Sequence, residues 1–121
     1  MSELEQAPAR APSKKRPGKS PTELSLAHMR KLGCVAQVVE HWNPHARKRV
    51  DLYGVIDILC LSPEGQTIGV QATSRDNIAA RVTKIGESEH IAALRRCAWR
   101  LLVHGWDKRE GRYRVREVDV S

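Results

Sequence analysis

Phenylalanine is absent from this 121-residue chain and aromatic residues make up only 4% of it, so Leu, Val, Ile and three Trp must fill any core. Apolar residues at 40% suffice for that, and a chain of this length closes around one core, with no internal repeat to suggest a second. No apolar run approaches the roughly 20 residues that cross a bilayer, and the polar, Pro-rich N-terminus lacks the apolar stretch of a secretory leader. Neither membrane insertion nor secretion is expected, and the chain reads as soluble and cytoplasmic. The three cysteines, Cys34, Cys60 and Cys97, are odd in number and have no Cys-x-x-Cys spacing, which excludes a disulfide framework or zinc site and leaves them as small apolar packing groups. No Ser/His/Asp order and no phosphate-cradling Gly-rich loop is present. Acidic residues are few: 14 against 21 basic, a net charge of +7 and a pI near 9.8. Such a surplus either serves solubility or attracts a polyanion, of which nucleic acid is the commonest inside cells.

Against these absences stands one well-patterned stretch, Gly54 to Asn77. Two apolar runs, Val55–Leu61 and Thr67–Ala72, flank Ser62-Pro63-Glu64-Gly65, where Pro fixes one φ and Gly frees the next; this predicts a hairpin. Asp57 lies between Ile56 and Ile58, and a carboxylate among β-branched residues that favour burial is costly unless a cation or a basic group meets it. Pairing about the turn brings Asp57 toward Gln71 at the end of the hairpin away from the turn.

Gly54-Val55-Ile56-Asp57 followed across a turn by Val70-Gln71-Ala72-Thr73 resembles the core of the PD-(D/E)XK nuclease superfamily, which includes Holliday-junction resolvases and many restriction enzymes. The resemblance spans about Ser20 to Trp106, and its motifs are short. It implies a metal-dependent DNA endonuclease that hydrolyses phosphodiester bonds, with Mg²⁺ or Mn²⁺ as cofactor. Asp57 matches the family's metal-binding Asp, and Gln71 stands where the family has Glu or, in some branches, Gln. Thr73 stands where the family has its Lys. The implied ligands are Asp57, the Gln71 amide oxygen, the Ala72 carbonyl and Glu23, since the family's first helix often carries a Glu toward the metal. Small nucleases that cut both strands usually act as dimers, so a homodimer is a further expectation. Because Gln71 and Thr73 depart from the motif, the alternative on the same residues is a DNA-binding protein on a nuclease scaffold that does not cut.

The rest of the chain fits around this centre. Residues 1 to 19 contain Pro8, Pro12, Pro17 and Lys14-Lys15-Arg16 without apolar period, which predicts a disordered basic arm; its five cations and two acids leave +4 on residues 20 to 121, a single nuclease-like domain. Ser20-Pro21-Thr22-Glu23 is a capping-box sequence, starting a helix that Gly33 ends; Glu23 is either the cap or the metal ligand, and the roles need not exclude each other. Val35 to Trp42 reads as a strand closed by Asn43-Pro44. His45 to Arg49 reads as a loop in which Arg47, Lys48 and Arg49 either clamp phosphate or are solvated. Asp51, next in the chain, is a candidate second acid at the sheet edge or a partner for those arginines.

After Gln71, Ser74, Arg75 and Asn77 are assigned to DNA contact as the chain turns into a helix from about Asn77 to Ile85. Ile78, Val82 and Ile85 form its apolar stripe, and Asn77, Arg81 and Lys84 form a second stripe about 100° away. Either this cationic stripe snorkels, or Arg81 binds DNA and Lys84 supplies the positive charge missing at Thr73. A helix near Ser88–Ala98, a strand Arg100–Trp106, a turn at Asp107–Gly111 and an edge strand Arg112–Val120 complete the chain. His104 and Trp106 either bind a base or end a half-buried strand. The expected architecture is α/β: a mixed central sheet with flanking helices, a restriction-endonuclease-like αβββαβ core and a C-terminal strand.

Overall fold

In the computed structural model, which describes residues 18–121, Ser20 starts the first helix. Its hydroxyl accepts the Glu23 N–H at 3.1 Å and the Glu23 carboxylate accepts the Ser20 N–H at 3.0 Å, so the reciprocal cap forms. Helix α1, Pro21–Lys31, follows with Pro in its first turn. Gly33, at φ 95, takes the left-handed conformation that lets the chain leave the helix. Residues 1–17 of the basic arm expected over residues 1–19 lie outside the described residues.

Strand β1, Val35–Val38, is shorter than predicted. It pairs antiparallel with β4, Ile58–Leu61, from Val35 opposite Leu61 to Val38 opposite Ile58. One last bond, from the Val39 N–H to the Asp57 carbonyl at 2.8 Å, ends the pairing. The chain then forms a separate two-stranded ribbon, β2 His41–Asn43 and β3 Lys48–Val50, with Trp42 opposite Arg49. The Asn43 side-chain oxygen accepts the N–H groups of His45 and Ala46, and Arg47 closes the turn at φ 54. The residues expected as one strand and an open loop are therefore β1 and a hairpin.

Strand β4 also begins later than predicted. Residues 52–56 make a tight turn: Leu52 bridges Ile56, the Leu52 carbonyl accepts from the Val55 N–H, and Tyr53 and Gly54 have φ 55 and 77. Strand β5, Thr67–Ser74, pairs with β4 across the Pro63–Gly65 turn as predicted. A 3-10 turn, Arg75–Asn77, leads into α2, Ile78–Gly86, and then the short α3, Ile91–Arg96. Strand β6, Arg100–Arg109, lies parallel to β5, and β7, Arg112–Asp119, antiparallel to β6. The last turn is at Glu110–Gly111, both at positive φ, rather than spread over Asp107–Gly111, because Asp107 remains in the ladder opposite Arg114.

The result is a mixed five-stranded sheet in the order β1-β4-β5-β6-β7, with β7 at the edge as expected. Residues alternate between its faces. Ala36, Ile58, Cys60, Ile68, Val70 and Leu102 pack with Met29 of α1 on one side. Leu101 and Val103 pack with Ile78, Ile85, Ile91 and Leu94 of α2 and α3 on the other. Cys34 and Cys60 are buried as expected, and burial pushes the Cys60 thiol up to about 12; Cys97 is exposed instead.

Candidate functional site

The turn that delays β4 holds the chemistry at its two ends. Asp51 precedes it and Asp57 follows it, so the chain reversal at Tyr53-Gly54 brings two carboxylates together. Glu40 joins them, because continuing the ribbon register one step past His41 and Val50 sets residue 40 opposite residue 51. One oxygen from each of Glu40, Asp51 and Asp57 lies within 4.8 Å of the others, a group able to hold a metal ion.

Asp57 is the buried member, 4% exposed. Its Oδ2 accepts the Ala72 N–H and its Oδ1 accepts the Gln71 side-chain N–H, both at 2.9 Å. The pairing predicted between these two strands therefore exists. Burial first, then a hydrogen bond with Asp51 and the negative charges of Asp51 and Glu40, push the Asp57 carboxyl up to about 8, against the Ala72 amide. Three acids this close cannot all ionise without a counter-charge.

Gln71 is oriented by its neighbours. Its amide nitrogen donates to Asp57 and, at 3.2 Å, to Asp51 Oδ2, while its oxygen accepts from Arg81 at 3.3 Å. The amide nitrogen can only donate, its oxygen can only accept and a guanidinium can only donate, so turning the nitrogen to the two acids and the oxygen to Arg81 satisfies all four groups. The oxygen expected to face a cation faces Arg81 instead.

The cationic stripe of α2 is directed as one of its two readings held. Ile78 and Ile85 enter the core, which turns the adjacent stripe to the carboxylates: Arg81 reaches Gln71, and the Lys84 ammonium lies 3.7 Å from Asp51. Thr73, two residues beyond Gln71 and so on the same face, is 4% exposed and brings no charge to it. Asn77, the third member of the stripe, bonds the Ser74 hydroxyl.

Other expected site residues lie elsewhere. Glu23 is spent on its cap and does not belong to the carboxylate group. The physical reason is the two-sided sheet: α1 covers the face opposite to the one that Gln71 shares with α2. Arg49 is 3.5 Å from Glu40 and thus borders the site, with Arg47 and Lys48 exposed farther along the ribbon. Arg75 is 3.8 Å from Asp107, which Arg114 holds at 2.7 Å, so Ser74, Arg75 and Asn77 form a separate group beyond the end of β5.

His104 and Trp106 are absorbed by an internal network. The Trp106 indole N–H donates to the Ser25 hydroxyl at 2.8 Å, and Ser25 lies 2.8 Å from His104 Nδ1. His104 Nε2 meets Glu117 at 3.1 Å. With Ser25 and His104 both wholly buried, this chain of hydrogen bonds fastens α1 to β6 and β7 and meets solvent only at its ends, at Glu117 and Trp106. Burial lowers the His104 pKa, against the pull of Glu117.

One participant was missed from the sequence, Glu40; of the two readings of Asp51, it is the acid that joins the group, with Lys84 rather than an arginine of the ribbon beside it. The signal was present in the Asn43-Pro44 turn, whose hairpin register pairs 40 with 51. Comparison of the chain with protein-family models, curated proteins and solved structures gives no match.

Proposed function

We propose that this chain is a metal-dependent DNA endonuclease with a restriction-endonuclease-like core, its centre built from Asp57, Asp51 and Glu40. The observation that carries the proposal is the convergence of three carboxylates with Lys84 and Arg81 on one sheet face. A hard divalent cation such as Mg²⁺ takes oxygen ligands, and the residues fit one: three carboxylate oxygens lie within 4.8 Å of one another, and burial beside two other acids raises the Asp57 pKa, a cost to its ionised form that a cation offsets. Asp51 and Glu40 supply the negative charge that Gln71 lacks where the nuclease motif has Glu. Such a cation, when bound, polarises a phosphodiester and lowers the pKa of an attacking water.

The chain's own residues do the rest. Lys84 and Arg81 stand beside the carboxylates to neutralise charge that develops on the phosphate. Gln71 ties Asp57, Asp51 and Arg81 into one unit, so that strand β5 and helix α2 are positioned together. Arg49, paired with Glu40, extends the cationic rim onto the β2–β3 ribbon, where Arg47 and Lys48 meet the backbone of the DNA by charge alone.

The test is cleavage of labelled duplex, single-stranded and branched DNA in Mg²⁺ and in Mn²⁺. Wild type is expected to cut, Asp57→Ala not to, and Lys84→Ala to lose on the order of 10²-fold in rate, the scale of one charge-stabilising group. A second assignment, a DNA-binding protein that does not cut, is favoured by one feature: the Gln71 amide nitrogen already bridges Asp57 and Asp51 and so competes with a cation for one oxygen of each. Binding without cleavage in either metal decides for it.

A further inference from the structure

Beside the carboxylates, the Asp51–Asp57 turn presents a large aromatic side chain that the core does not use. Tyr53 is 46% exposed and takes φ 55, a conformation that a bulky residue adopts only under strain. The turn has positive φ at both central positions, where Asn-Gly is the usual pair. A tyrosine there works against folding, so its ring calls for another use.

The ring stands in an aromatic group. Its centroid is 5.5 Å from His90 and 6.1 Å from Trp99. Trp99 leans on the apolar core behind it. In front of the group is an open cleft of about 300 Å³ lined by Tyr53, Gly54, Lys84, Ser88, Glu89 and His90. Gly54 keeps the rim low, and a Cβ there would meet nothing within 4 Å. Lys84 is shared: it lines the cleft and lies 3.7 Å from Asp51. Cleft and carboxylates are thus separated by a single side chain.

The chemistry selects the ligand. The half-exposed Tyr53 ring and the His90 ring in the lining suit a flat π-system, and the Glu89 carboxylate at the rim disfavours a phosphate inside. The adjoining Lys84 and Arg81 favour a phosphate just outside. A neutral ring tethered to an anion is a nucleotide.

We propose that this cleft is a nucleobase subsite of the carboxylate centre, which takes one unpaired base of a DNA strand stacked on Tyr53 while the phosphate attached to that nucleotide lies at Lys84. The proposal rests on the DNA-cleaving assignment for its choice of ligand, and it names the substrate class: DNA in which a base next to the attacked phosphate is unstacked, as in single strands, flaps and branch points.

The experiment uses Tyr53→Gly, which removes the ring and relieves the left-handed backbone, so the variant is expected to fold; Tyr53→Phe keeps the ring. Both are made in the Asp57→Asn background, which prevents cutting, and binding of a labelled single strand in Mg²⁺ is followed by fluorescence anisotropy. Tyr53→Gly is expected to weaken binding roughly tenfold, the scale of one base–aromatic stack, and Tyr53→Phe to restore it. One abasic position in the strand is expected to erase the difference. Equal affinity of Tyr53→Gly and its parent, an equal loss on every abasic strand, or no DNA binding by any variant overturns the proposal. Cleavage is measured in parallel with Asp57 intact. Base-dependent binding without cleavage leaves the subsite and removes the hydrolytic assignment, whereas cleavage indifferent to Tyr53 and to abasic positions does the reverse.

Discussion

Replacing Asp57 by Asn tests the electrostatics of the centre directly. The Asp57 carboxyl is pushed from 3.8 up to about 8, so between those values the folded protein holds a proton that the unfolded chain has released. Stability from a raised pKa is complete below the unfolded value and is lost as pH rises through the folded one. Metal-free wild type should therefore weaken from pH 5 to pH 8. At 1.36 kcal/mol per unit, a group that stays protonated across most of that window accounts for up to about 4 kcal/mol. Sharing of the proton with Asp51 reduces the share assigned to Asp57, so we expect about 2 to 4 kcal/mol. Asn imitates the protonated acid: it carries no charge, its oxygen accepts from Ala72 or Gln71, and its NH₂ donates toward Asp51. The assay is urea unfolding of both proteins in EDTA at half-unit pH steps, with stability taken by linear extrapolation. The difference between wild type and Asp57→Asn cancels the titrating groups that do not interact with Asp57 and leaves the coupled Asp57, Asp51 and Glu40. That difference should shift in favour of Asn as pH rises. A difference that stays flat, or that moves toward wild type, refutes the account of three crowded carboxylates.

Other consequences can be checked with the same preparations. At pH 8, Mg²⁺ should raise the melting temperature of wild type, by about 2.7 kcal/mol of stability at a hundredfold excess over its dissociation constant; the gain should shrink at pH 5, where protons compete, and vanish in Asp57→Asn. Ser25→Ala strands the Trp106 N–H and His104 Nδ1 in the interior and should cost about 1–3 kcal/mol by urea unfolding. Because burial lowers the His104 pKa from 6.5, its contribution is present above that value and lost as pH falls below it, an acid-side decline that His104→Gln should remove. Gly105→Ala drives a Cβ into the Ile78 side chain and to 3.1 Å from the Arg75 Cα; we expect a loss of about 1–3 kcal/mol from overpacking and a fall in DNA cleavage as α2 shifts with Arg81 and Lys84. An unchanged melting temperature would refute that packing.

Features written in neighbouring residues were legible beforehand. The cap of α1 needs only Ser20 and Glu23 three apart. The β4–β5 hairpin needs only its turn residues and two apolar runs, and its two-residue period already sets Asp57 across from Gln71. The two stripes of α2 follow from 100° per residue, which is why Arg81 and Lys84 could be named. The helix–strand order predicted the mixed sheet, and the alternation of Arg112–Val120, with neither face cleanly apolar, predicted the edge position of β7.

Wherever the outcome depended on which elements meet, tertiary structure decided. Glu23 carries the same residue type as a ligand, yet α1 packs on the face that Gln71 does not share, and no local pattern specifies the face. Glu40 and Asp51 meet only because the chain leaves the sheet after Val38 and returns through the β2–β3 ribbon, a choice made where the β1 ladder runs out of partner at Asp57. The Gln71 amide is turned by Arg81 from a different element. Ser25 of α1 is far in the chain from His104 and Glu117 of β6 and β7, yet the three form one network around the buried His104. Local sequence determines each element and the direction in which its side chains alternate; the packing of elements across a two-faced sheet determines which of those side chains share a site, because burial and charge compensation act between elements and not along the chain.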